Sequence, residues 1–301
     1  MSDHDTVVVG LGSIGVRHLR VLRGMGRRVA TVSRRGSGDF ADLGAALTPD
    51  VGYVVVANET AEHGKALTTL ARAGFAGTVL VEKPIVGRLR ELPSDLSGRI
   101  YTGYNLRFHP VLSALAATLQ GERPLMVEAR VGQHISGWRP GRDVSATASA
   151  TRAAGGGVLR DLSHELDYLT LYFGRWRRVA ALGGEAPEIG VESEAFAAVL
   201  LELEGCGCVA VHLDYLDRVG RRRIRVLTAS RTIEADLVAG TLTIDGVTRS
   251  FPVERDDTYL AMHAAAIDGS DEPCDARHGL AVVGLVEAIE RAMAQKTWVA
   301  A

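Results

Sequence analysis

The sequence is short of cysteine, of net charge and of long apolar runs, and each shortage removes a class of protein. Cys206, Cys208 and Cys274 are too few, and odd in number, for a disulfide scaffold. Cys206-Gly-Cys208 has no second ligand pair near it, so no metal site is expected. No apolar stretch approaches the ~20 residues needed to cross a bilayer. The acidic start Met-Ser-Asp-His-Asp lacks the basic region and apolar stretch of a secretory signal, which leads to an expected cytoplasmic location. The 34 Lys and Arg nearly balance the 36 Asp and Glu, for a formal charge of −2. That balance offers nothing general to nucleic acid or to an anionic membrane, and neither is expected as a partner. What is present, 47% apolar and 23% charged residues over 301 positions, suits a globular enzyme of two domains.

The first hundred residues alternate short apolar strands with helical stretches, the pattern of a parallel sheet with crossover helices. Strands are expected at Thr6–Val9, Arg28–Val32, Tyr53–Ala57, Val79–Glu82 and Ile100–Gly103, with helices such as Ile14–Gly24 and Ala61–Gly74 between them. The pattern changes near Asn105. A helix at Pro110–Leu119, a strand at Met126–Gly132, a Gly/Ser/Arg/Ala-rich loop and a helix at Leu159–Phe173 follow. From Ala195 onward come strands punctuated by Gly205, Gly220, Gly240 and Gly246, as antiparallel hairpins require, then closing helices at Tyr259–Ile267 and Leu280–Ala294. The expected fold class is an α/β Rossmann domain (mostly parallel sheet), residues 1–104, plus an α+β domain with a large antiparallel sheet, residues 105–301.

Val7-Val-Val-Gly10-Leu-Gly12-Ser13-Ile14-Gly15 is a buried strand entering a glycine-rich turn and then a helix. Gly10 permits the tight turn, Gly12 lets the backbone approach a pyrophosphate, and Gly15 lets helix and strand pack closely. The helix beginning at Ser13 and Ile14 offers unpaired N–H groups to phosphate. An acidic residue ending the second strand would take the ribose hydroxyls of NAD; here Ser33 stands there, followed by Arg34 and Arg35. Two guanidiniums suit a 2′-phosphate, which favours NADP(H), with NAD(H) possible; a solvated arginine loop is the bland alternative. Ala57, Asn58, Glu59 and His63 follow the third strand and should border the cofactor crevice, although His63 could instead cap its helix. Glu82-Lys83-Pro84 sets a lysine at the carboxyl end of a parallel strand, where such sheets bind ligands; a surface lysine is the alternative.

Gly155-Gly-Gly-Val-Leu-Arg-Asp161-Leu-Ser-His164-Glu165-Leu-Asp-Tyr168 carries the densest chemistry. On a continuous helix Leu159, Leu162, Leu166, Leu169 and Phe173 form one stripe, while Asp161, His164, Glu165 and Tyr168 share another face. The glycine run allows close approach of the backbone to another body, such as a cofactor ring. His164 as a capping or salt-bridged surface residue is the alternative. An acid, an imidazole and a phenol thus project together from a helix whose other side is anchored.

With Gly10-Leu-Gly-Ser-Ile-Gly15, Glu82-Lys83-Pro84, Tyr104-Asn-Leu-Arg-Phe-His-Pro110 and Gly155–Tyr168 in hand, the chain resembles the glucose–fructose oxidoreductase / inositol dehydrogenase family (Gfo/Idh/MocA) over nearly its whole length. The resemblance implies a nicotinamide between the sheet edge and the second domain, with Glu82, Lys83, Pro84 and Asn105 beside it. Lys83 would bind the reacting oxygen, His164 would exchange its proton, and Asp161 would orient or polarise the pair. It also implies a cis bond between Lys83 and Pro84. Many members place four residues' separation between the acid and the histidine, whereas here the step is three. Arg107, Trp138, Arg139 and Tyr168 join Lys83, Asp161 and His164 as substrate-binding candidates; Trp138, Arg139 and Arg142 lie in a loop that a solvated reading fits as well.

His109 reads as a helix-start residue and Arg221-Arg222-Arg223 as a solvated hairpin. On the strand ending at Tyr215, His212 and Asp214 should share one face and Tyr215 the other. The family implies a homodimer or homotetramer through the broad sheet. The expected activity is an NADP(H)-dependent dehydrogenase or ketoreductase acting on a sugar, nucleotide-linked sugar or cyclitol. Redox-neutral glycoside cleavage and a non-catalytic dinucleotide sensor are the competing readings.

Overall fold

Near-continuous valine runs in the first hundred residues become strands covered on both faces. A computed structural model describes residues 4–138, 143–152 and 155–301. Contacts divide the chain into two compact units, Met1–Phe108 with Glu254–Val283, and His109–Val253 with Gly284–Ala301.

The first unit holds β1 (Thr6–Val9), α1 (Ser13–Gly24), β2 (Val29–Val32), α2 (Leu43–Ala46), β3 (Tyr53–Val56), α3 (Thr60–Arg72), β4 (Thr78–Val81) and β5 (Ile100–Thr102). Five parallel strands and one antiparallel edge strand, β14 (Cys274–Asp275), run in the order β14-β5-β4-β3-β1-β2. The period-two alternation sorts the valines to two cores. Val7, Val9, Val54, Val56, Val79 and Val81 pack with Leu67 and Leu70 of α3. Val8, Tyr53, Val55 and Leu80 pack with Leu22 of α1 and with Met262 and Ala266 of α7 (Asp257–Asp268). Burial on both faces is what lets strands of four residues persist. The segment Glu254–Val283, which the sequence pattern groups with the second domain, therefore completes a core of the first unit.

The second unit holds α4 (Pro110–Thr118), β6 (Met126–Gly132), α5 (Val158–Asp161), α6 (His164–Phe173), β7 (Trp176–Ala186), β8 (Val191–Leu203), β9 (Cys206–Asp214), β10 (Arg221–Leu227), β11 (Thr232–Asp236), β12 (Thr241–Ile244), β13 (Val247–Ser250) and β15 (Val299–Ala300). The last helix, α8 (Ala276–Gln295), begins in the first unit and ends in the second. The strands form a nine-stranded sheet, β13-β12-β11-β10-β6-β9-β8-β7-β15, antiparallel except for the β6–β9 pair. Val127, Ala129, Val209, Val211, Ile224 and Val226 are buried on one face of it. The fold class expected from the sequence is thus present. Among the described residues, no helix is long and apolar enough to cross a membrane.

Two local expectations need correction. The helix expected over Leu159–Phe173 is broken at Leu162 and Ser163, where Leu162 leaves the helical region at φ −104°, ψ 27°. Ser163 Oγ donates to the Arg160 carbonyl at 3.0 Å, a side-chain bond that competes with the helix ladder. The other miss is β7: Arg177, Arg178, Gly183 and Gly184 interrupt its apolar pattern, yet Val179 and Ala181 are buried by pairing with β8.

Candidate functional site

The glycine-rich turn leaves the carboxyl end of β1. A Cβ on Gly15 would stand 1.9 Å from the Gly10 carbonyl oxygen, and one on Gly10, at φ +94°, would stand 2.6 Å from the Asn58 backbone. These two glycines are needed for helix, strand and loop to meet. Gly12 is different: nothing lies within 4 Å of its Cβ position. It is the N-cap of α1 and gives no side-chain cap, so the first N–H groups of a twelve-residue helix face open space beside Ser13 and Ile14. Asn58 Oδ1, close to Gly10, is buried without a partner among the described residues. An open cradle, uncapped helix donors and an orphaned acceptor fit a dinucleotide, with its pyrophosphate over Gly12.

At the end of β2, Ser33 is buried and its Oγ lies 3.1 Å from Ser37 Oγ. Arg34 and Arg35 are exposed and pair with Glu62 and Glu59 of the α3 start at 3.1 and 3.0 Å. Glu59, expected beside the cofactor, thus engages one of the guanidiniums expected to hold its phosphate. Ala57 is buried at the end of β3. His63 is not a helix cap: buried in α3, it reaches the Pro84 carbonyl through Nδ1 (3.1 Å) and the Asn58 carbonyl through Nε2 (3.2 Å). Burial holds its pKa below the ordinary imidazole value, so the ring is neutral and its single N–H donates to one of these two carbonyls at a time.

The Lys83–Pro84 peptide is cis, as the resemblance implies. Lys83 follows β4 and is half-buried. The Glu82 carboxylate is folded inward: Oε2 accepts from the Lys83 N–H at 3.1 Å and Oε1 lies 2.8 Å from His18 Nε2 of α1. Gly103 leaves room for it, since a Cβ there would stand 3.0 Å from Oε1. Burial alone would raise the Glu82 carboxyl, but the His18 hydrogen bond, with the Lys83 charge and backbone N–H, holds it below the usual carboxylate range. Asn105, in the turn Asn105–Phe108 with half-buried Arg107, donates through Nδ2 to Thr258 Oγ1 at 2.7 Å.

In the second unit, Asp161 ends α5 and His164 opens α6. Asp161 Oδ2 accepts from Tyr215 Oη at 2.7 Å, and Trp138 meets the Tyr215 ring edge-on at 5.3 Å. Trp138 and Asp161 are therefore brought together, by a tyrosine that period-two alternation turned away from His212 and Asp214, whose own pair is 3.0 Å. Burial, then the Asp161 charge, drives the Tyr215 phenol well above its usual pKa, so it remains a donor. Tyr168 goes elsewhere: it is buried and donates to Glu165 Oε1 at 3.2 Å. Arg222 is not simply solvated, since its Nε lies 2.9 Å from that same fully buried carboxylate. Arg139 and Arg142 fall outside the described residues. The close approach expected of the glycine run occurs at Gly157, at φ +120°, against Glu194 of β8: a Cβ would stand 2.0 Å from its Oε1. Glu194 and Tyr215 are buried polar groups that no local motif announces. His109 does start a helix, accepting from Val111 N–H at 3.2 Å. No cluster of His, Cys, Asp and Glu among the described residues could hold a metal.

No family model matches the chain, and no curated protein matches it by sequence. Solved structures match along almost their whole length. GenD2 from gentamicin A biosynthesis, in complex with NAD, superposes with a TM-score of 0.80 at 22% identity, covering 98% of this chain and 95% of that one. The UDP-N-acetylglucosamine 3-dehydrogenase GnnA from Acidithiobacillus ferrooxidans gives 0.79 at 20%, covering 96% and 97%. A levoglucosan dehydrogenase in complex with NADH and levoglucosan gives 0.81 at 15%, covering 98% of each. At such identities the likeness establishes one thing: this chain has the two-domain fold of these oxidoreductases, a Rossmann-like sheet followed by a mainly antiparallel one.

Proposed function

We propose that the protein is an NAD(P)(H)-dependent oxidoreductase that transfers a hydride to or from a carbon of a sugar, nucleotide-linked sugar or cyclitol, with NADP(H) favoured. The observation that carries this reading is Lys83, presented after β4 with its N–H held by the buried Glu82 carboxylate, in the same sheet whose β1 end carries the open Gly12 cradle. The sugar class is supported by the solved neighbours, which include a nucleotide-sugar dehydrogenase and a levoglucosan dehydrogenase.

A bound nicotinamide would supply the hydride chemistry. The chain's own residues handle the oxygen and its proton. Lys83 binds the reacting oxygen and stabilises negative charge developing there. The imidazole of His164 accepts the hydroxyl proton on oxidation and returns it on reduction. Asp161, held by Tyr215, orients the pair. Titrating dinucleotide against protein fluorescence, then screening ketosugars and nucleotide sugars for net change in nicotinamide absorbance, tests the reading. Absence of dinucleotide binding would end it, and turnover without net cofactor consumption would replace it with redox-neutral chemistry.

The NADP(H) preference rests on Arg34 and Arg35, exposed residues whose carboxylate partners a phosphate can replace. Replacing both with alanine should weaken NADPH binding at least about tenfold more than NADH binding, the value of one charge-assisted contact. Equal losses for the two cofactors would remove the 2′-phosphate from the argument.

A homo-oligomer is proposed through the exposed face of β7, β8 and β9. Leu182 is 70% and Leu200 52% exposed there. Leu182 pairs with Ala198, and Leu200 lies between Ala180 and Ala210, making an apolar patch. The same face of β6, β10 and β11 carries Glu128, Arg130, Arg223, Arg225 and Glu234 instead. Leu182→Glu combined with Leu200→Glu should convert a dimer or tetramer to monomer in sedimentation velocity. A wild-type protein that sediments as a monomer would refute the interface.

A further inference from the structure

Beneath the Lys83 segment runs a buried line of four polar side chains from four different elements. Tyr53 Oη of β3 lies 2.8 Å from His263 Nδ1 of α7. His263 Nε2 lies 2.8 Å from His18 Nδ1 of α1, and His18 Nε2 lies 2.8 Å from Glu82 Oε1. His18 and His263 are fully buried and Tyr53 nearly so. None of these contacts is needed to close a helix or a strand, and an apolar core could have filled the space at less desolvation cost.

The direction of the line follows from its far end. Among the described residues, the Tyr53 hydroxyl has only His263 as partner, so its proton has one place to go. It donates to His263 Nδ1. His263 then carries its proton on Nε2 and donates to His18 Nδ1. His18 in turn carries its proton on Nε2 and donates to Glu82 Oε1, which accepts as a carboxylate. Every donor meets an acceptor, both rings are neutral, and the one negative charge sits at Glu82, whose other oxygen receives the Lys83 N–H.

We propose that His263 and Tyr53 are positioning residues: they fix the tautomer of His18, and through it hold Glu82 ionised and anchored to the backbone of Lys83. The proposal rests on the reading of Lys83 as the group that binds the reacting oxygen, but its structural content does not. Burial pushes His263 well below the ordinary imidazole pKa and pushes the Tyr53 phenol far up, so neither end changes charge near neutrality. The other groups facing the line leave that unchanged. Tyr259 meets the His18 ring at 5.5 Å beneath the Arg17 guanidinium. Arg27 and Tyr101 act on Tyr53 with opposite signs, and Lys83 favours the Glu82 anion.

The chain has three lysines, Lys65, Lys83 and Lys296, so lysine-specific ¹⁵N labelling resolves the Lys83 amide, and labelled histidine reports tautomers. In the wild type, His18 and His263 should both show Nε2-protonated neutral rings, and the Lys83 amide should not titrate between about pH 6 and 8. Tyr53→Phe, which keeps the ring, and His263→Leu should speed exchange of the Lys83 amide at least about tenfold, because His18 then loses its fixed tautomer and with it the hydrogen bond to the charged Glu82 acceptor. His263→Gln, whose amide can still donate to His18, should restore most of the protection. Where turnover is measurable, kcat should fall in the first two variants with little change in the KM for dinucleotide. A doubly protonated His18 in the wild type, or Tyr53→Phe folding with wild-type exchange and tautomers, would overturn the proposal. Altered exchange without any sugar-linked turnover would instead leave the network standing and remove the activity.

Discussion

Lys83→Ala is expected to lower turnover by about 10³-fold while nicotinamide dinucleotide binds nearly as before. The magnitude follows from removing a preorganised cation aimed at developing oxyanion charge. Binding should survive because the dinucleotide cradle is built elsewhere, from the turn at Gly10, Gly12 and Gly15 and the uncapped start of α1. The backbone at position 83 should also survive, because Glu82 accepts from the residue's N–H, which alanine keeps. Lys83→Arg separates charge from geometry: a guanidinium keeps the charge but cannot occupy a point-like ammonium site, so it should rescue less than about a tenth of the lost rate. Stopped-flow turnover with parallel fluorescence titration reads both quantities. An alanine variant within a few-fold of the wild-type rate would mean that the reacting oxygen is bound by something else.

Some of this arrangement is written in local sequence and some is not. The strand ends that carry Gly10, Ser33, Asn58 and Lys83 are legible because each follows a run of buried apolar residues, and parallel strands covered on both faces leave that signature. The glycine spacing is legible for a steric reason: Gly10 and Gly15 stand where a Cβ would strike backbone. Tyr53, His18 and His263 are different. His18 and His263 are 245 positions apart and meet only because α1 and α7 pack in one core, so no window of sequence contains the pair.

The segment Gly155–Tyr168 shows how a helical reading of one segment can give the wrong geometry. On a continuous helix, Asp161, Glu165 and Tyr168 project together. The break at Leu162 and Ser163 leaves Asp161 half-buried against Tyr215 and sends Glu165 and Tyr168 into the core with Arg222. Periodicity could not have found the break, because it depends on one hydroxyl, Ser163 Oγ, choosing a carbonyl within its own turn.

His164→Ala is expected to lower turnover by about 10²- to 10⁴-fold, the usual range for loss of a positioned proton acceptor. His164 opens α6 and is buried, with a side chain that a mutation to alanine would replace by a small cavity. A cavity of imidazole shape is a test as well as a lesion. Free imidazole, added at tens of millimolar on the order of its use as a general base, should restore part of the rate in His164→Ala, with the restored rate rising as the free base fraction rises. The same additive should do nothing for Lys83→Ala, whose missing group is a cation at the oxygen and not an acceptor of its proton. Asp161→Asn should not be rescued by imidazole either, since the lost carboxylate acts by orienting its neighbours from a position Tyr215 holds. If His164→Ala turns over at close to the wild-type rate, proton exchange belongs to another side chain; if it is inactive and imidazole restores nothing, then His164 serves the site by shape and not by proton transfer.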